Sequence, residues 1–345
     1  MLLRRTVLGI LVLWFALVSE VGGHVILNGA GATFPAPLYE KWFEAYQAKT
    51  NVRIGYQKVG SGEGLRQILA RGVDFGASDA FLSDAELEAH GVNLIHIPTC
   101  LGAVAVIYHL PEAPALRLPP EVLADIFLGH IANWADPRIG AENSNLTLAR
   151  QPIAVVGRLD GSGTTYIFTD YLTKVSPAWR ASVGRGKTVQ WPVGMRIAKN
   201  EGVAEMVASV PGSIGYVSLN YAVQHRLPVA ALRNRAGNFI KPTLASVSTA
   251  GDVLLQSDAR VMITDTPAPE GYPISAFTYL LVYREQAYDQ RSRGKAEALF
   301  DFLHWTISEG QVYAPGLHYA PLPPRVTRNI QGLLQGITYE GRPLR

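Results

Sequence analysis

The chain has 345 residues, 48% of them apolar and 17% charged, with a formal net charge of +3. That length supports two domains, and the composition excludes a fibrous or low-complexity protein. A charge balance so near neutral excludes the electrostatic footprint expected of a nucleic-acid binder. The opening "MLLRRTVLGILVLWFALVSE" sets Arg4 and Arg5 ahead of an apolar run of roughly a dozen residues, short for a membrane span, and reads as a secretory signal peptide over residues 1–23. The mature protein is therefore expected outside the cytoplasmic membrane. No cysteine follows the leader directly, so no lipid anchor is expected. Cys100 is the single cysteine of the chain, which leaves no internal disulfide and reads as a buried, inert thiol.

After the leader the elements alternate. "HVILNGAG" predicts a strand and turn, residues 35–50 a helix, "NVRIGYQKV" a strand, residues 62–71 a helix after the turn "GSGEG", "VDFGASD" a short strand and residues 84–90 a helix. "CLGAVAVIYHLP" reads as a strand leaving one core for another, and the Pro-rich "PEAPALRLPPE" then leads to a helix at 120–128. A second alternating region places strands at 152–157, near 188–191 and at 213–218, with helices at 164–175 and 201–209. Residues 233–268 carry no clear pattern. "YPISAFTYLLVYRE" is a second long strand, followed by helices near 293–308 and 325–335. Strands alternating with helices imply α/β layers around a largely parallel sheet. Two such halves joined by two strand-like crossings suggest a hinged bilobal protein with its ligand between the lobes. The division expected is lobe 1 over 24–105 and 275–345, and lobe 2 over 106–274.

Four stretches share one chemical character. In "GAGATFPAPLYEKW" (29–42) a glycine turn meets Pro35, where a helix can begin. The amides of Thr33 and Phe34 then lie at a positive helix end. "VGSGEGLRQ" places Ser61 between strand and helix in the manner of an N-cap. "DFGASDAFLS" puts Ser78 and Asp79 at a strand end, where open α/β sheets hold ligands. "VVGRLDGSGTTYIF" joins Arg158 and Asp160 to a turn of small hydroxylated residues that opens a helix, an arrangement suited to a dehydrated oxyanion. The two aspartates repel an anion unless the ligand keeps a proton to donate, as monohydrogen phosphate does and sulfate does not.

Other chemistries fit poorly. "GSGTT" lacks the lysine of a P-loop, and "GAGATF" lacks the third glycine of a dinucleotide fingerprint. A nucleophile elbow needs glycine two residues before its serine, where Ser162 has Asp160 and Ser61 has Val59. The histidines have no metal-ligand spacing. Neither an enzyme nor a metal or cofactor site is expected, and the tryptophans of "NWADP" and "QWPVG" read as packing.

"GAGATFPAP", "DFGASDA" and "RLDGSGT", supported by "PGSIGYV" and "NWADP", resemble the periplasmic phosphate-binding proteins of Pst-type ABC importers over residues 28 to 325. The resemblance implies a type II periplasmic binding fold, two α/β lobes joined by two hinge strands. It implies capture of inorganic phosphate without a chemical reaction and delivery, as a monomer, to inner-membrane permease subunits. Carried over by motif, the phosphate contacts are Thr33, the Phe34 amide, Ser61, Asp79, Arg158, Asp160, Ser162, the Gly163 amide and Thr164, with Asp79 and Asp160 accepting the ligand's protons. Glu63 and Leu159 stand where the family has small residues; Glu63 is expected to point outward or to weaken binding, and Leu159 to face away. The rival functions are a receptor for another tetrahedral oxyanion, an exported phosphatase on the same scaffold, which would need a nucleophile–base pair or metal cluster, and a relative used in adhesion or signalling.

Overall fold

The computed structural model describes residues 25–110, 112–252 and 258–344, so the leader expected at 1–23 lies outside the described residues. Eight strands among those residues form one sheet: β1 (Ile26–Gly31), β2 (Arg53–Lys58), β3 (Phe75–Ser78), β4 (Leu94–Tyr108), β5 (Ala154–Arg158), β6 (Met195–Ile197), β7 (Ser213–Ser218) and β8 (Ser275–Tyr283), in the spatial order β2-β1-β3-β8-β4-β7-β5-β6. At one end β1 pairs in parallel with β2 and β3, and at the other β5 pairs in parallel with β6 and β7. Between them β8 and β4 run antiparallel to their neighbours.

β4 explains how one sheet serves two halves. All 15 of its residues are buried, and at about 3.3 Å per residue such a strand is near 50 Å long, more than one small core can cover. Leu94–Ala103 pair with β8 and Val104–Tyr108 pair with β7, so the partner changes in mid-strand. The Val104 amide donates to the Ile274 carbonyl at 2.9 Å, which sets the two crossings side by side. The strand starts earlier than its apolar run "CLGAVAVIYHLP" suggested, because "LIHIP" already pairs with β8.

Each half has its own aromatic core. In one, Tyr39, Phe43, Tyr56 and Phe75 pack with Phe302. In the other, Phe168 stacks on Tyr216 at 4.3 Å beside Phe127 and Trp191. Trp191 belongs to packing as expected, and so does Trp134, whose Nε1 donates to the Gly212 carbonyl at 2.9 Å. Cys100 is buried and free, and burial pushes its thiol up.

The helices include α1 (Ala36–Thr50), α2 (Ser61–Leu69), α3 (Asp84–Ala89), α4 (Pro120–Leu128), α5 (Gly163–Val175), α6 (Lys199–Ser209), α7 (Arg293–Thr306) and α8 (Pro324–Leu334), of which α1, α2, α5 and α6 start at the site. Three expectations need correction. α1 starts at Ala36 with Pro35 at its N-cap. Gly60, at φ 90°, caps α2, so Ser61 is the first helical residue and not the cap. Residues 188–191 are not a strand: Trp191 turns inward onto Gly157, and Met195–Ile197 pairs with β5 instead. The stretch without a clear pattern holds a short antiparallel pair, Ala231–Arg233 with Phe239–Ile240, and a helix, Leu244–Gly251, closed by a capping box from Thr243.

Candidate functional site

The strand ends of β1, β3 and β5 deliver the expected residues to one place. After β1 the chain turns into α1, bringing Thr33 and Phe34 to its start; α2 begins at Ser61 and α5 at Gly163. The first amides of each helix have no intrahelical acceptor, and their dipoles point positive ends inward. These three N-termini meet closely. A Cβ at Gly163 would run into the Asp79 carboxylate and the Ser61 hydroxyl, so only glycine lets α5 approach. The Gly62 amide donates to the Gly161 carbonyl at 2.8 Å across the junction, and a Cβ on Gly62 would stand 3.2 Å from the Gly161 Cα.

Asp79 is buried, with 1% of its surface exposed. Its Oδ1 accepts from Thr278 Oγ1 at 2.7 Å, and its Oδ2 lies a long 3.4 Å from Ser61 Oγ, whose oxygen in turn accepts the Asp79 amide at 3.2 Å. Burial drives its carboxyl up to about 7, against the opposing pull of Thr278, the Arg158 charge and Ser61. Asp79 thus stands poised between charged and neutral forms at ordinary pH.

Asp160 lies in a different setting. Arg158 Nε donates to its Oδ1 at 2.8 Å and Nη2 to its Oδ2 at 2.6 Å, a two-pronged pair, and the Lys199 amide adds a third bond at 2.9 Å. Burial works to raise its carboxyl, but the hydrogen bonds and charge of Arg158 prevail and hold it below the usual range. Asp160, expected from the sequence to accept a ligand proton, already accepts from Arg158 at both its oxygens, a pairing that orients the guanidinium. The Arg158 side chain is 1% exposed, and its Nη1 is buried with no hydrogen-bond partner among the described residues.

Ser162 caps α5, accepting the Thr165 amide at 3.1 Å. Thr33 and Thr164, both buried, are joined through a residue that sequence reasoning missed: Asn200 Nδ2 donates to Thr33 Oγ1 at 2.8 Å and to Thr164 Oγ1 at 3.2 Å. Thr278 was missed as well. A hydroxyl in a strand buried along its length, as β8 is, has to find a polar partner, and that was the available signal. Tyr221 and Tyr319 also reach the site's edge, donating to the Thr33 carbonyl at 3.0 Å and the Phe34 carbonyl at 2.6 Å.

Glu63 and Leu159 face away as expected. Arg66 donates to both Glu63 oxygens, at 2.7 and 2.5 Å, and with Gln67 holds its carboxyl at about 2. Leu159 is 61% exposed.

A family model described as a PBP superfamily domain matches residues 18–309. The chain is 40% identical over 333 residues to the phosphate-binding protein PstS of Pasteurella multocida, covering 95% of this chain and 94% of that one. It is also 40% identical over 337 residues to the protein of the same name from Methanocaldococcus jannaschii, covering 90% and 86%. Among solved structures, a high-affinity periplasmic phosphate-binding protein (PfluDING) bound with phosphate superposes with a TM-score of 0.71 at 23% identity, covering 89% of this chain and 93% of that one. A putative phosphate ABC transporter substrate-binding protein with bound phosphate from Clostridium perfringens gives 0.63 at 19%, covering 86% and 100%. These likenesses support the bilobal fold.

Proposed function

This chain belongs to the PBP superfamily and, within it, to the phosphate-binding proteins of the PstS type, and from that premise we propose that the groups gathered between its two walls are its phosphate site. The protein binds inorganic phosphate for an ABC importer and is not an enzyme. The observation that carries the site assignment is Arg158 Nη1, a buried cationic donor with no partner among the described residues. A buried charged donor left unpaired is costly, and an anionic oxygen beside it removes the cost. The amides of Phe34 and Gly163 and the hydroxyls of Thr33, Ser61, Ser162 and Thr164 supply further donors without adding charge.

Asp79 supplies the opposite chemistry. In its charged form the carboxylate accepts a hydrogen bond from a protonated ligand oxygen, which phosphate offers at neutral pH and sulfate does not. The ligand contacts come from 24–105 with 275–345 on one side and from 106–274 on the other, and these lobes close over phosphate by a hinge at the two crossings. The protein acts as a monomer in the periplasm after removal of residues 1–23 and presents its closed form to permease subunits in the inner membrane.

Calorimetric titration of the ligand-stripped protein with phosphate tests the reading, and saturable binding is the expected result. Solution scattering tests the hinge. The radius of gyration falls on adding phosphate, whereas no change at saturation contradicts closure.

A further inference from the structure

Asn200 is buried at the second position of α6, a helix whose first residue, Lys199, adopts a left-handed φ of 65° and donates its amide to Asp160. Its amide orientation is settled by a backbone group. The Ser218 amide can only donate, and it lies 2.9 Å from Oδ1, so that atom is the oxygen. Nδ2 therefore faces the threonines and carries two protons, one for Thr33 Oγ1 and one for Thr164 Oγ1. A long 3.4 Å approach of Thr164 Oγ1 to Oδ1 competes only weakly with the shorter bond. A hydroxyl that accepts from Asn200 keeps its own proton to give elsewhere. Both threonines stand at helix N-termini whose amides are also donors.

We infer that Asn200 is a positioning residue that fixes Thr33 and Thr164 as donors, so that this side of the site accepts only unprotonated ligand oxygens. The inference rests on the phosphate reading above and deepens it. The protonated oxygen of the ligand is thereby directed toward Asp79, and one side chain aligns hydroxyls from opposite walls as they meet.

Two substitutions separate this role from simple packing. Asn200→Asp keeps the acceptor for the Ser218 amide but turns both threonine protons toward its carboxylate, and phosphate affinity falls at least about a hundredfold in a folded protein. Asn200→Ala removes the alignment without reversing it, and affinity falls about tenfold. The second loss depends on the threonines: in a Thr33→Val/Thr164→Val background, Asn200→Ala changes phosphate affinity by less than about twofold. Calorimetry on the four proteins of that cycle, each checked for folding by circular dichroism, reads the coupling. An equal loss from Asn200→Ala in both backgrounds, or no loss from Asn200→Asp, overturns the role of Asn200 while phosphate binding by the wild type stands. A wild-type protein that does not bind phosphate overturns both.

Discussion

The wall built from β1, β3 and α2 presents Asp79 among hydroxyls and amides, while the wall built from β5 and α5 presents Asp160 clasped by Arg158. The same side chain is driven in opposite directions: burial prevails at Asp79, which rises to about 7, and the guanidinium prevails at Asp160, which falls. Two carboxyls with separated proton affinities mark a division of labour. On the proposed reading, one wall senses whether the ligand has a proton to give, and the other holds a cation in a fixed direction for the ligand's charge.

The contrast breaks most completely at the cation. Arg158→Ala strips the second wall of its charge and leaves Asp160 without its partner. Losing one member of a buried pair costs roughly 3–5 kcal/mol, so phosphate affinity falls at least about a hundredfold, at about 1.4 kcal/mol per tenfold. Calorimetry on a folded variant checks this, and a loss under about fivefold places Arg158 outside the site.

The first wall shows itself in the pH dependence of stability without any ligand. The folded value of Asp79, about 7, lies above its ordinary value of 3.8, so across that window the folded protein keeps a proton that the unfolded chain has released. Its contribution to stability is fully present below about pH 4 and is lost as pH rises through about 7. Each tenfold gain in proton affinity on folding is worth about 1.4 kcal/mol, so the change across the window is on the order of 4 kcal/mol. Urea unfolding of phosphate-free protein at about pH 5 and about pH 8 should show the wild type losing more stability than Asp79→Asn over that interval. Equal losses in the two proteins would mean that Asp79 does not titrate there.

A third carboxyl, Glu63, lies on α2 two residues from Ser61 yet faces away from the site. Its pairing with Arg66 directs it to solvent, and an exposed pair of that kind contributes little. Glu63→Gln should change phosphate affinity by less than about threefold in calorimetry; a larger effect would show that its charge reaches the ligand.

Much of this division could be read from the chain, because its parts are local. Turns of small residues before helical patterns announced helix starts near Pro35, Ser61 and Gly163, and the apolar run "CLGAVAVIYHLP" announced a strand passing between two cores. The role of Asp160 was within reach as well. β5 ends at Arg158, so Asp160 lies two positions on in the turn that follows, near enough for its carboxylate to fold back onto the guanidinium. Asn200 was not legible, since its contacts to Thr33 and Ser218 lie 167 and 18 residues away and "AKNEGVAE" reads as an ordinary helix start. The partner change of β4 between Ala103 and Val104 was equally hidden, because pairing register is set by other strands.

The most direct test of the division between the walls is the ratio of sulfate to phosphate affinity at neutral pH in wild type, Asp79→Asn and Asp160→Asn. A carboxylate facing a fully deprotonated anion in a dry site costs several kcal/mol, enough for a preference of about a thousandfold or more for phosphate in the wild type. Asp79→Asn should lose phosphate affinity and move the ratio toward sulfate, because an amide donates where the carboxylate only accepts, and Asp160→Asn should leave the ratio near that of the wild type. A wild type that binds the two anions within about tenfold of each other, or an Asp160→Asn shift as large as that of Asp79→Asn, would contradict proton reading by Asp79.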